Sequence, residues 1–248
     1  HEANKLNKIH SMVDGGSIDG FGGGQGMVAL HGWSYRPRPI LQEHMAYTPK
    51  LTAINGDFLR TKNAAKWILY RANAIDNRYP GAEDPLALQA LLECYSPAEA
   101  ERGYVLLRRK ECSRIHGEVA LDRLERTVSI GEKVPVKRCR EPCIRKVYVH
   151  LDRGIFSRIA AILLREPEYA VVLGVGEERR IEFRMPPRAW ETGIIIDPLL
   201  FDTNAIVAWY STRSPNVLVD SVEIKVRTNR PQWLLPARAR VAVVSFPM

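Results

Sequence analysis

Two stretches of different rhythm predict an α+β protein: a small α/β layered domain over residues 1–112, followed by an antiparallel β-sandwich domain, jelly-roll-like, over residues 113–248. Three observations lead there. Up to Lys110, strand-like apolar runs alternate with helical spacing, the pattern of helices covering a mixed sheet. Beyond Lys110, short β-type runs follow one another with glycine, proline and asparagine turns between them, as in a sandwich of antiparallel strands. A chain of 248 residues, 46% hydrophobic and 26% charged, can also fill one large core or two small ones.

In chain order, Leu6, Ile9 and Val13 stand at helical spacing, and Asp14-Gly15-Gly16 stops that helix. Residues 17–21 are long enough for one strand. Gly22-Gly23-Gly24-Gln25-Gly26 then leads into an apolar stretch at 27–30 that fits one or two helical turns. These glycines invite a phosphate-loop reading, because a glycine backbone can approach a pyrophosphate. No Gly-Lys-Ser/Thr closes the loop, however. The dinucleotide-type match, Gly24-x-Gly26-x-x-Ala29, runs into prolines where the next strand should begin, so a flexible turn into a short helix is the better reading.

The segment 33–51 is dense in aromatics, arginines and prolines. Its Arg36-Pro37-Arg38-Pro39 core must be extended, because each proline drives the preceding residue out of the helical region. The missing N–H donors place it on a sheet edge or in a polyproline-like run, and alternation puts Arg36 and Arg38 on one face. Thr48 then caps a helix that begins at Pro49 and carries Leu51, Ile54, Phe58 and Leu59. A strand at 66–70, a helix opened by Asp84-Pro85 with Leu88, Leu91, Leu92 and Tyr95 as its stripe, and a strand at 103–108 complete the first half. In the second half the β-type runs are 134–136, 145–151, 170–175, 181–185, 193–196, 217–226 and 240–246, with one helix at 156–164.

Composition bounds the function. Thirty-six Lys and Arg against 28 Asp and Glu give a net charge of +8, which permits anionic partners such as phosphates, acidic glycans or an anionic membrane surface. The basic residues fall in short groups, including Arg108-Arg109-Lys110, Lys137-Arg138 and Arg238 with Arg240, without a zinc finger, an aromatic RNA-binding signature or a basic arm; nucleic acid is not the expected partner. No run approaches the roughly 18 apolar residues of a membrane span. The chain begins at His1 with no charged-then-apolar leader, and reads as a piece of a longer protein.

No catalytic constellation stands out. His10, His31, His44, His116 and His150 are scattered, and no Gly-x-Ser-x-Gly elbow is present. Asp14, Asp19 and Asp57 could act as acids or bases, but their separation along the chain does not set a distance between carboxylates. Cys94, Cys112, Cys139 and Cys143 lack Cys-x-x-Cys spacing, so metal binding is not expected. Cys139 and Cys143 could close a small loop in an oxidising compartment, and Cys94 and Cys112 could pair across neighbouring elements; free thiols in a reducing compartment are the alternative. No cofactor is expected. The candidate ligand-binding residues are Trp33, Tyr35, Arg36, Arg38, Gln42 and Tyr47, since aromatic faces and planar guanidinium donors suit sugar rings and anionic groups. The alternative is a brace, in which these side chains staple an extended segment over the sheet.

Around this block the sequence resembles the C-terminal extracytoplasmic region of large multi-pass bacterial membrane proteins of uncharacterised function, some of them similar to membrane glycosyltransferases. The resemblance is carried by Ser17-Ile18-Asp19, Gln25-Gly26, Tyr35-Arg36-Pro37-Arg38-Pro39 with Gln42, Ala46-Tyr47-Thr48-Pro49, the strand at 65–70 and Tyr104-Val105-Leu106-Leu107-Arg108. It resumes at Arg184-Met185-Pro186 and at 193–198. It implies the periplasmic side of a bacterial membrane, a membrane-embedded portion of the same protein as partner and feasible disulfides; taken with the aromatic and arginine block, it makes a glycan or lipid-linked sugar the expected ligand. The function so implied is that of a non-catalytic support or glycan-binding module. The alternatives are a glycan-modifying or glycosyl-transfer domain using Asp14 or Asp19 beside the arginine block, and a basic nucleic-acid-binding protein.

Overall fold

The computed structural model describes residues 5–247 apart from 74–75, 113–119, 138, 140–142, 165–166, 177–178, 186–187, 213–216 and 230. Among the described residues twelve strands form three four-stranded sheets, joined by six α-helices, and the α+β expectation holds. The first sheet contains β1 (Ile18–Phe21), β2 (Trp67–Tyr70), β3 (Tyr95–Glu101) and β4 (Tyr104–Arg109), in the order β1-β2-β4-β3. β1 and β2 run parallel, and the other pairs are antiparallel.

Both faces of this sheet are covered. Trp67, Leu69, Tyr104 and Leu106 pack with Leu6, Ile9 and Val28 of the segment carrying α1 (Asn7–Met12) and α2 (Gln25–Leu30). Ile68, Tyr70, Val105 and Leu107 pack on the other side against residues of α3 (Pro49–Arg60) and α4 (Pro85–Cys94). Two buried faces explain why Trp67-Ile68-Leu69-Tyr70 is apolar without alternation. α3 begins as its sequence directs, with Pro49 in the first turn and the Thr48 hydroxyl accepting from the Leu51 N–H at 3.3 Å.

The second half contains β5 (Asp122–Ser129), β6 (Lys133–Pro135), β7 (Cys143–Asp152), α5 (Ile155–Leu163), β8 (Glu168–Val175), β9 (Arg179–Met185), β10 (Ile194–Asp197), α6 (Thr203–Thr212), β11 (Ser221–Arg227) and β12 (Arg238–Pro247). Two antiparallel sheets, ordered β10-β7-β12-β5 and β6-β11-β8-β9, form a sandwich-like pair. Residues two apart supply the facing surfaces: Val147 and Val149 of β7 and Val241 and Val243 of β12 meet Val171 and Leu173 of β8 and Val222 and Ile224 of β11. Each such aliphatic side chain contributes about 1.5–3 kcal/mol by leaving water.

The opposite face of β7 and β10 joins the first half. Ile144 and Ile195 share one apolar cluster with Leu59, Leu91, Ile206 and Trp209, so α3, α4 and α6 supply the contacts between the first sheet and the sandwich. Tyr79 crosses the other way into the sandwich core, where its hydroxyl donates to the Ile195 carbonyl at 2.8 Å and accepts from the Leu200 N–H at 2.9 Å. A buried polar row also crosses this joint. Arg60 Nε donates to Glu93 at 2.7 Å, Gln89 donates to Glu93 at 2.7 Å, and Lys146 Nζ donates to Gln89 Oε1. Burial pushes the Lys146 ammonium down to about 8.

Three elements were not expected from the sequence. β3 begins at Tyr95, which was expected on the stripe of the preceding helix; it is an outer strand of its sheet and is bulged between Pro97 and Glu99, where a missing N–H is tolerated. β5 is densely charged because it too is an outer strand. α6 is rich in β-branched and aromatic residues, and tertiary packing of Ile206 and Trp209 overrides that local preference. Cys94–Cys112 and Cys139–Cys143 are both disulfide-bonded, the first tying the end of α4 to the chain beyond β4.

Candidate functional site

The proline-rich segment lies along the outer strand β1. The Ile18 N–H donates to Ser34 O and the Arg36 N–H to Ile18 O, each at 2.9 Å, so Tyr35 forms an isolated parallel bridge with Ile18. Pairing stops there, because the next donor in this register, the Arg38 N–H, goes to the Asp19 carboxylate at 3.3 Å instead of to the β1 backbone. The chain then turns over the sheet, and the expectation that Arg36 and Arg38 share a face fails: Arg36 is exposed while Arg38 is 1% exposed.

Arg38 is held through its two terminal nitrogens. Its guanidinium donates to Asp19 Oδ2 at 2.8 Å, Gly20 O at 2.7 Å, Leu41 O at 3.0 Å and Glu43 Oε1, and it lies 4.5 Å from the centre of the Phe21 ring. Burial opposes its charge, but Asp19, Glu43 and Asp84 outweigh burial and push the guanidinium upward. Burial pushes Asp19 up against the pull of Arg38. Asn55 of α3 completes the fastening, its side-chain amide exchanging two 2.9 Å bonds with the Ile40 backbone and donating to Asp84 at 2.6 Å. Burial raises Asp84 to about 7 while Asn55 and Thr52 pull the other way.

The glycine loop after β1 serves the same assembly. A Cβ at Gly22 would lie 1.8 Å from Arg71 O and one at Gly24 2.3 Å from Leu69 O, so bare backbone is needed for the loop to close on β2. Its anion is supplied from within the chain: Glu43 accepts from the Gly22 N–H at 2.9 Å and from Gln25 at 3.2 Å.

The remaining sequence candidates are dispersed. Trp33 stacks on His31 with centroids 4.4 Å apart and donates to His10 at 3.1 Å, while Tyr35, Gln42 and Tyr47 are exposed. Asp14 pairs with Lys66 at 2.8 Å, and Lys66 followed by Trp67 lowers its carboxyl. Asp57 is exposed beside Arg60. Among the described residues no group of three or more His, Cys, Asp or Glu is placed to hold a metal.

A second place concentrates charge around a cavity of about 520 Å³ at the sandwich, lined by Arg153, Arg158, Arg188, Arg240, His150 and Trp190 among others. The sheet register builds part of its wall, since Arg240 of β12 stands opposite His150 of β7 and Thr127 of β5. Arg153 and Arg158 come from the start of α5 and the turn before it, and the Arg158 Nε–H donates to the Arg153 carbonyl at 3.0 Å. Arg188 has a positive φ of 65° and makes no ion pair among the described residues. Asp152 and Glu191 add two carboxylates. Trp190 is buried, and its indole N–H has no hydrogen-bond partner among the described residues.

These residues lie on four separate parts of the chain, and sequence reading did not join them. Arg238 with Arg240 and the lone His150 were visible only as one basic group and one scattered histidine. The fold and this cavity together define a layered α/β unit joined to a sandwich-like β unit, with arginines gathered at one place on the sandwich. Comparison with protein-family models, with curated proteins and with solved structures found no match.

Proposed function

We propose that this region is a non-catalytic module that binds an anionic glycan, with the arginine-lined cavity as its site, on the extracytoplasmic side of a bacterial membrane. The observation that carries the reading is the convergence of Arg153, Arg158, Arg188 and Arg240 on one cavity that also contains Asp152 and Glu191. Guanidinium groups suit carboxylate, sulfate or phosphate substituents, and carboxylates accept from sugar hydroxyls. A nucleic-acid groove would instead offer exposed aromatic platforms, whereas the cavity's tryptophan is buried. Non-catalytic binding is favoured because the large shifts at Asp84 and Lys146 belong to side chains that fasten elements together, away from the cavity. The two disulfides and the resemblance to membrane-protein ectodomains support the compartment and a membrane-embedded portion of the same protein as partner.

The test is an array carrying uronic-acid, sulfated, phosphorylated and neutral glycans, followed by calorimetric titration of the hits. Anionic glycans should bind, more weakly as salt rises, and Arg188→Ala or Arg240→Ala should each weaken binding roughly 10-fold or more. Equal binding of neutral glycans, or no binding to any glycan on the array, would overturn the proposal.

A further inference from the structure

α5 is turned inside out. Ser157 and Ala160 are its buried residues with described side chains, while Ile155, Phe156, Ile159, Ile162 and Leu163 face outward. Ile162 is 83% exposed and Leu163 75% exposed, far from the inward stripe an amphipathic helix on a protein surface normally presents. Trp233, 65% exposed in the 3-10 turn Gln232–Leu234, extends the apolar face and meets Phe156 edge-on at 6.0 Å. Beside this face stand Arg153 and Arg158, which line a cavity where four arginines outnumber the two carboxylates of Asp152 and Glu191.

We infer that α5 and Trp233 dock this region onto an anionic lipid bilayer, with the apolar side chains entering the headgroup and acyl boundary and the arginines meeting lipid phosphates. Charge complementarity selects the occupant. A helix with Ile, Leu and Phe on one side, a neighbouring Trp and arginines at its margin has the composition of an interfacial helix, lying in the membrane plane and sinking about 5–10 Å. At nine residues α5 lies along the surface and does not cross it. This goes beyond the glycan reading in its occupant and in the outer face of α5, and it shares Arg153 and Arg158 with the rim of that cavity.

The experiment is vesicle co-sedimentation with the folded chain, using phosphatidylcholine alone and a mixture of roughly one part phosphatidylglycerol to three parts phosphatidylcholine. Partitioning should rise about 10-fold or more on the anionic vesicles and fall with salt, with a blue shift of tryptophan emission that Trp233→Phe removes. Ile162→Glu and Phe156→Glu should abolish partitioning while leaving circular dichroism, the melting midpoint and binding of soluble anionic glycan unchanged. Three results would overturn the inference: no partitioning on either vesicle, partitioning that these variants leave intact, or a concentration-dependent dimer in sedimentation that Ile162→Glu dissolves, which would assign the face to a second copy.

Discussion

Arg38 decides how the proline-rich segment is understood. Removing it leaves Asp19 and Glu43 buried without their cation, and Arg38→Met should lower unfolding free energy by about 3–5 kcal/mol in urea titrations. Arg38→Lys should recover little of that, because a point charge cannot serve two carboxylates and two carbonyls as a planar fork does. Asp84 and Lys146 set a pH dependence with two limbs. The Asp84 carboxyl is raised from 3.8 to about 7, so its folded form keeps a proton the unfolded chain loses, and that stability, present below 3.8, disappears as pH rises through 7. Asp19 and Asp197 are raised by burial and slope the same way. Lys146 falls from 10.5 to about 8, so its folded form sheds a proton first and stability rises between those values. Unfolding free energy measured against pH should therefore pass through a minimum near neutrality. Asp84→Asn should flatten the acid limb and Lys146→Met the alkaline one. None of this was readable from residue type. Arg36 and Arg38 look equivalent in sequence, and only the end of pairing beyond Arg36, where the Arg38 N–H turns to Asp19, separates an exposed arginine from a buried one.

Local signals were sufficient where an element's own residues fix it. Thr48-Pro49 marked the start of α3, and the apolar runs at β2, β4 and β8 marked strands buried on two faces. They failed where position in a sheet decides. β3 and β5 are outer strands, and charge and proline there report exposure of an edge rather than a loop. The helix at α5 was legible as a period, but nothing local revealed that its apolar stripe faces out. The Cys94–Cys112 bond closes a loop with a sequence separation of 18, fastening the end of α4 beside the joint with the sandwich. Cys94→Ser with Cys112→Ser should lower the unfolding free energy by about 3 kcal/mol, measured by denaturant titration against the oxidised parent.

Across the full chain, the two halves exchange side chains at their joint: Tyr79 enters the sandwich core, and Ile206 and Trp209 enter the core under the first sheet. Sequence reading recovered the two rhythms and the layered architecture. It placed the candidate site in the first half because Trp33 to Tyr47 is the densest stretch of aromatics and arginines, whereas the cavity arginines are brought together by strand register and by a turn at Arg188. Density along a chain and density in space are different quantities, and only the second is set by the fold. The most direct measurement is a calorimetric titration of one array-identified anionic glycan into four proteins: wild type, Arg188→Ala with Arg240→Ala, Arg36→Ala, and Tyr47→Ala. Loss of about 100-fold or more in affinity confined to the double variant is the expected result. Binding that survives the double variant and is lost with Arg36→Ala or Tyr47→Ala would contradict it, returning the site to the strap along β1.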